Sequence, residues 1–485
     1  MLFNSSQFLL FFALFFPTYW LLQSNLKYRN TLLLIGSYVF YGSWDWRFLS
    51  LIMLSTVVDF YVGRQMTASG DDRKRKRLLM VSLCVNLGIL GVFKYLGFFV
   101  NSFVDLLQSL NLEANYVTLN IILPVGISFY TFQTLSYTID IYRRKMEPSK
   151  SLLDFATFVA FFPQLVAGPI ERAKALLPQI ETNRKFSFTQ LREGAYLVLW
   201  GLTKKCLIAD RLAVYVDAVF TDPGAATGPQ TVIAVFFFSI QIYCDFSGYS
   251  DIARGIAKML GIELMVNFNT PYLSRSIKEF WSRWHISLST WFRDYVYIPL
   301  GGNREGEYKT RRNLFITFVV SGLWHGANYT FLIWGFLHAS GQLIETEVNN
   351  YASAMKLPPF LGTVTGFIWT FTFVNFCWIF FRAENISDAF IVINNCVSAI
   401  PVLLQDGFSI GMESLQVAMS RTEFVLSIYF VILLFCVDFF LKDRGIENVS
   451  SNLYLPVRWV FSWFLLVNFL MLAPSDTGSF IYFQF

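Results

Sequence analysis

The 485-residue chain is 55% hydrophobic and 18% aromatic, has only 15% charged residues and carries a formal net charge of +5. Its mean hydropathy is +0.48, and its charged fraction is far below the about 25% of a soluble domain. A soluble or disordered chain is excluded, and the positive balance fits cytoplasmic loops of an all-α polytopic membrane protein without any nucleic-acid partner. Phe3–Leu22 lacks the basic start and small-residue cleavage site of a signal peptide, so it reads as a first membrane segment that stays. Thr31–Tyr41 and Phe48–Val62 are short apolar runs separated by Trp44-Asp45-Trp46. The basic pair Lys27 and Arg29 precedes them, and Arg73-Lys74-Arg75-Lys76-Arg77 follows. Both basic groups are expected inside, as orientation signals and lipid-headgroup contacts, which puts the N-terminus outside.

Leu78–Phe93 crosses outward and Leu119–Ile139 returns to Arg143-Arg144-Lys145, with Lys94–Val117 expected along the outer surface. Phe155–Val166 leads into Ala167-Gly168-Pro169-Ile170-Glu171-Arg172, where Pro and Gly predict a re-entrant or broken helix. Leu191–Phe220 is amphipathic and interrupted by Lys204-Lys205 and Asp210-Arg211, so it is expected to be partly cytoplasmic. Thr231–Tyr243 is a membrane segment that ends on Asp245-Phe246-Ser247-Gly248-Tyr249-Ser250-Asp251. That polar cluster is either a helix–helix contact or part of a site. In Ser274–Gly302, charged residues alternate with Trp, Phe and Tyr, which suits an interfacial helix or one bordering a cytoplasmic cavity. After the basic loop Arg304–Arg312 and the segment of His325, the crossings are Thr363–Phe381, Ala389–Leu404, Phe424–Phe440 and Val460–Leu472. The chain stops at Phe480-Ile481-Tyr482-Phe483-Gln484-Phe485, outside. This scheme keeps every strong basic cluster inside and gives about ten or eleven spans. It describes one membrane-embedded domain over 1–485 with a C-terminal aromatic tail, 480–485, and shows no repeat.

The chemistry concentrates on three histidines, His285, His325 and His338. If Asn313–His338 is one helix, His325 lies roughly 20 Å from either end, near the middle of a hydrocarbon core about 30 Å thick. A buried imidazole at that depth is costly unless it is hydrogen-bonded or lines a wet cavity, so it marks either a structural contact or a functional site. On a continuous helix His338 is also about 20 Å away and turned by roughly 140°, which argues against a three-histidine metal site. His285 meets His325 if the Ser274–Tyr297 helix folds against it. The six cysteines are scattered singly, with no spacing that suggests zinc or a disulfide framework.

Several runs together resemble the membrane-bound O-acyltransferase family, in its bacterial branch of alginate O-acetyltransferases and D-alanine exporters. They are Pro163-Gln164, Ala167-Gly168-Pro169-Ile170, Gln241-Ile242-Tyr243 with Asp245–Asp251, Phe280-Trp281 with Arg283-Trp284-His285-Ile286-Ser287-Leu288-Ser289, Tyr297–Gly302, and Gly322-Leu323-Trp324-His325-Gly326. The resemblance implies a helical bundle with re-entrant and interfacial helices around a central funnel from the cytoplasm. His325 would be the catalytic histidine and His285 its polar companion. Trp284, Trp324, Asn328, Asp245, Ser247 and Asp251 would line the substrate path. Acetyl-CoA is the implied acyl donor, with no bound cofactor and no metal. Lys278, Arg283, Arg311 and Arg312 would either attract its phosphates or simply orient the loops.

A histidine with an ordinary pKa near 6.5 can take the hydroxyl proton. His285, Trp284 Nε1–H or a backbone amide can orient the donor or stabilise the oxyanion. Phe480-Ile481-Tyr482-Phe483 resembles the ending of the small partner peptide of teichoic-acid D-alanylation, which makes Tyr482 either an acyl relay or an aromatic interface anchor. The implied partners are the lipid bilayer, an extracytoplasmic acetyltransferase or esterase-like protein, and a glycan synthase or export complex. The competing function class is a secondary transporter with a midplane polar site and no acyl chemistry. Such carriers show paired broken helices, and no such pairing is visible.

Overall fold

The computed structural model describes residues 1–112, 121–354, 359–406, 411–442, 445–447, 454–473 and 480–481, and these are helices and connecting loops without a strand. Seven helical stretches among them are long and apolar enough to cross a membrane. Two of these, Leu26–Ala68 and Asp72–Ser109, have 43 and 38 residues, about twice the roughly 20 that one crossing needs. The chain is an all-α polytopic membrane protein. Its residues fall into two compact units, Met1–Ala195 with Ala253–Met265, and Tyr196–Ile252 with Val266–Phe485.

In the first unit, α1 (Ser6–Leu21) begins where Ser5 accepts the Phe8 amide, and α2 (Leu26–Asp45) where Asn25 accepts that of Tyr28. A 3-10 turn at Trp46–Phe48 separates α2 from α3 (Leu49–Ala68), as the polar Trp44-Asp45-Trp46 predicts. Then follow α4 (Asp72–Leu90), α5 (Leu96–Ser109), α6 (Ile127–Tyr142), α7 (Leu152–Ala160), the single turn α8 (Phe162–Leu165) and α9 (Ala173–Ile180). The broken helix expected at Ala167-Gly168-Pro169 is present, but the break comes earlier, with α7 stopping at Phe161 inside the Phe155–Val166 run. Inside this unit Asp59 accepts from Ser82 Oγ (2.6 Å) and Asn86 Nδ2 (2.9 Å), so a carboxyl far from water is fully partnered.

Two arginines depart from the reading of basic groups as orientation charges. Arg29 is buried and donates to the carbonyls of Arg184 and Thr182. Arg75 is buried and donates to Met66 O, Ile141 O and Tyr142 O, caring for carbonyls at the ends of α3 and α6. The guanidinium forks tie down backbone carbonyls, while Lys27 and the neighbours of Arg75 remain exposed.

Helix α10 (Phe188–Leu202) continues through a π-helical turn, Thr203–Ala209, into α11 (Asp210–Thr221). The expected cytoplasmic interruption does not occur. Lys204, Lys205, Asp210 and Arg211 are all buried: α12 (Gly228–Met259) supplies Asp251 to Lys204 and Asp245 to Lys205, Lys205 also holds Asp210, and Arg211 donates to Leu472 O. Gly201 and Gly248 let the two backbones touch, since a Cβ on Gly201 would stand 2.6 Å from Gly248 O. Asp245–Asp251 therefore lies within a continuous 32-residue helix and not at the end of a span.

The single helix expected over Ser274–Tyr297 is instead α13 (Ile277–Arg283) and α14 (Ile286–Phe292), broken at Trp284-His285 and followed by a π-helical turn at Arg293–Tyr297. The helix expected over Asn313–His338 is a hairpin. α15 (Glu307–His325) stops at Gly326, and α16 (Tyr329–Ala354) runs back along it. Gly326 has extended backbone, and the ring of Phe331 fills the space a Cβ would need. Asn328 then starts α16 by accepting the Thr330 amide at 3.1 Å. Along the hairpin, Gly322 faces the carbonyl of Phe331 and Gly335 that of Phe318. α17 (Pro359–Arg382), α18 (Ile386–Asp406), the turn α19 (Met412–Leu415), α20 (Arg421–Leu441) and the helix Leu455–Leu472 complete the unit.

Gly322→Ala and Gly335→Ala are each expected to destabilise the protein by about 1–3 kcal/mol through overpacking against backbone. Gly88→Ala, where a Cβ would meet nothing within 4 Å, serves as the control. Thermal unfolding in detergent should show a lower Tm for the first two and no loss for the third.

Candidate active site

All three histidines lie in the second unit, and the hairpin changes their relations. His325 is the last residue of α15, 4% exposed, with its ring centroid 5.0 Å from those of Trp324 and Trp334 and 5.3 Å from Phe381. The α16 helix carries His338 to the far face of Trp334, at 4.8 Å. The separation expected on a continuous helix does not apply, because the chain turns back at Gly326. His338 Nδ1 accepts from Trp281 Nε1 at 3.3 Å, so the neutral ring carries its proton on Nε2. No group of three or more His, Cys, Asp or Glu able to hold a metal occurs among the described residues.

His285 comes to 6.5 Å from His325, ring to ring, and 6.1 Å from Trp324. It sits at the break between α13 and α14 with φ +43°, in the left-handed region where a non-glycine residue stores of order 1–3 kcal/mol of strain. What holds it there is Asn267, absent from the residues singled out in the sequence. Asn267 Oδ1 accepts the backbone N–H of Ser287 (3.2 Å) and the Ser287 hydroxyl (2.9 Å), and faces His285 Nδ1 at 3.1 Å. Its carbonyl accepts the Ile286 amide at 2.9 Å. A backbone N–H can only donate, so the atom it meets is the amide oxygen, and His285 Nδ1 must be the protonated nitrogen. Nε2 of the neutral ring is then an acceptor. Burial pushes the His285 imidazole down to about 3, so it is neutral at physiological pH.

Aromatic rings close the surroundings. Trp284 is buried against Trp378 (5.0 Å), Phe268 (5.0 Å) and Phe280 (5.5 Å), so it forms wall rather than surface. Phe246 lies edge-on to His285 at 4.6 Å. A neutral, oriented imidazole beside a second one, in a box of rings that limits water, suits proton transfer to and from an oxygen or sulfur.

The other residues named from the sequence make the following contacts. Asn328 caps α16 and donates Nδ2 to Glu384 O at 2.8 Å. Asp251 Oδ2 pairs with Lys204 Nζ (2.6 Å), which also donates to Ser247 Oγ (2.9 Å). Asp245 Oδ1 pairs with Lys205 Nζ at 2.6 Å. Arg283 binds Glu279 at 3.0 Å, Arg311 binds Glu307 and Glu347, and Arg312 contacts Asn313 Oδ1 at 2.9 Å. Lys278 is exposed. Tyr482 lies outside the described residues, but Phe480 and Ile481 are buried, with Phe480 4.9 Å from Tyr249 and 6.0 Å from Phe246.

Residues 43–386 match the MBOAT family, the membrane-bound O-acyltransferases. The chain belongs to this family. It is an O-acyltransferase, and the histidine pair, His285 and His325, lies within the matched region. The probable alginate O-acetylase AlgI of Pseudomonas putida is 44% identical over 393 residues, which is 80% of this chain and 79% of the relative. The peptidoglycan O-acetyltransferase of Helicobacter pylori is 32% identical, covering 100% of this chain and 98% of its own length. The teichoic acid D-alanyltransferase of Bacillus subtilis is 28% identical over 55% of this chain and 70% of the relative.

Asn267 can be tested in this O-acyltransferase by substitution. Asn267→Ala leaves Ser287 N–H without its acceptor and His285 free to rotate, and kcat is expected to fall by up to about 100-fold with little change in KM. Asn267→Asp keeps an acceptor for the same donors and should retain more of the rate. Steady-state kinetics of the two variants checks both statements.

Proposed function

We propose that the chain moves acetyl groups from acetyl-CoA across the bacterial inner membrane, with both termini outside, for O-acetylation of an extracytoplasmic polysaccharide. Likeness to an alginate O-acetylase and a peptidoglycan O-acetyltransferase supports acetyl as the group and an envelope glycan as the acceptor. A thioester is already activated, so the reaction needs a base for the accepting hydroxyl and a donor for the oxyanion.

In this reading the acceptor is the phenol of Tyr482. His325 takes the phenolic proton, and the oxygen attacks the acetyl carbonyl, forming a C–O bond as the C–S bond breaks. The departing thiolate takes the proton back from His325. Asn267 holds His285 with Nδ1 protonated, so in the neutral ring Nε2 is an acceptor. Once the proton from His325 has reached the sulfur, Nε2 accepts a hydrogen bond from the coenzyme A thiol. The phenolic ester is itself reactive, and an external transferase passes the acetyl to a sugar hydroxyl while the phenol is regenerated. The single observation that carries the reading is the burial of Phe480 and Ile481, the two residues before Tyr482, in a ring cluster whose member Phe246 packs on His285.

Purified protein with labelled acetyl-CoA should transfer acetyl, and His325→Ala should lose about 10²–10⁴-fold in rate. Mass spectrometry of the C-terminal peptide should find one acetyl on Tyr482, and none in Tyr482→Phe. Equal turnover by wild type and His325→Ala would remove the base role, and full transfer by Tyr482→Phe would remove the relay.

A further inference from the structure

Two buried acids, Asp245 and Asp210, have no part in the acyl chemistry above, and neither has Lys205 between them. Asp245 lies in the middle of α12 and is 2% exposed. Its Oδ1 meets Lys205 Nζ at 2.6 Å, and its Oδ2 accepts the backbone N–H of Ile481 at 2.6 Å. Lys205 reaches a second acid, Asp210 Oδ1, at 2.8 Å. Beside them Phe480, 1% exposed, packs on Tyr249 and Phe246. An ion pair taken out of water gives little net stability, and a well-packed apolar substitute is often as stable. A buried carboxylate divided between a lysine and a distant backbone amide needs another explanation.

We propose that Lys205 and Asp245 are positioning residues that latch the C-terminal end of the chain in the site. Asp245 captures the tail through a main-chain donor, so the latch reads the path of the backbone and not the side chain of residue 481. Lys205, held by Asp210 from the other side, keeps the carboxylate turned so that Oδ2 faces the tail. Phe480 is the second point of attachment, packed on Tyr249 and Phe246. In this inference Asp245 is a tail ligand and not a substrate ligand. It rests on the reading that the tail carries the acyl group, and its test separates the two.

Hydrogen exchange of the C-terminal peptide, followed by mass spectrometry on the full-length protein, reads the latch directly. Wild type should protect the Ile481 amide, and Asp245→Ala should lose that protection together with about 100-fold in acetyl transfer, the cost of misplacing a reacting group by about 1 Å. Asp245→Asn, which keeps an oxygen for the amide, should fall between them in both. Ile481→Pro removes the donor and leaves the Lys205–Asp245 pair whole, so it should exchange faster at Phe480 and Tyr482 and transfer slowly. This variant keeps the test open if Asp245→Ala does not fold. Protected tail amides in Asp245→Ala, or wild-type transfer by Ile481→Pro, would overturn the latch. Wild-type transfer by Tyr482→Phe defeats the relay alone and leaves the exchange results standing.

Discussion

Away from water, every polar group must find its partner within the chain, and that constraint organises this protein. An unpaired amide or hydroxyl in such surroundings costs several kcal/mol, and an isolated charge far more. Asn267 answers it with one oxygen shared among three donors. Arg29 and Arg75 answer it for carbonyls at helix ends, and Asp59 for itself with Ser82 and Asn86. The same requirement that stabilises these groups also orients them. Asn267 thereby commits Nδ1 of His285.

The family and the helical class were legible because they rest on local strings and on bulk hydropathy, which survive any folding of the chain. So was a meeting of His285 with His325, and a broken helix in the segment that starts at Phe155. What was not legible is where the chain turns. Gly326 and Asn328 are a stop and a start signal in three residues, yet apolar runs on both sides made Asn313–His338 look continuous. The buried lysines were misread for a related reason. A lysine pair in an amphipathic stretch normally marks water, and only the acids of α12, forty residues on, reverse that. Asn267 carries no signal at all in the sequence, since its value comes from meeting Ser287 and His285 across a loop.

The two histidines differ in what surrounds them. His285 is strained, neutral and fixed by hydrogen bonds, whereas His325 ends a helix inside a box of three rings. Trp334 separates His325 from His338 and is contacted by both. The aromatic content of the chain is thus more than lipid-facing filler. Rings give a dry lining that still tolerates the polar edge of an imidazole.

The π-helical turn at Thr203–Ala209 has a consequence for the phase of the whole helix. A π turn accommodates one residue beyond the α-helical count, and each residue of an α-helix advances the side chains by about 100°. The extra residue therefore rotates everything after it relative to α10. Shortening this turn by one residue would give a more regular helix with a better hydrogen-bond ladder. It would also swing Asp210 and the face of α11 away from Lys205, so the irregularity works as a phase-setting insert that aligns two helix faces a uniform helix could not present together.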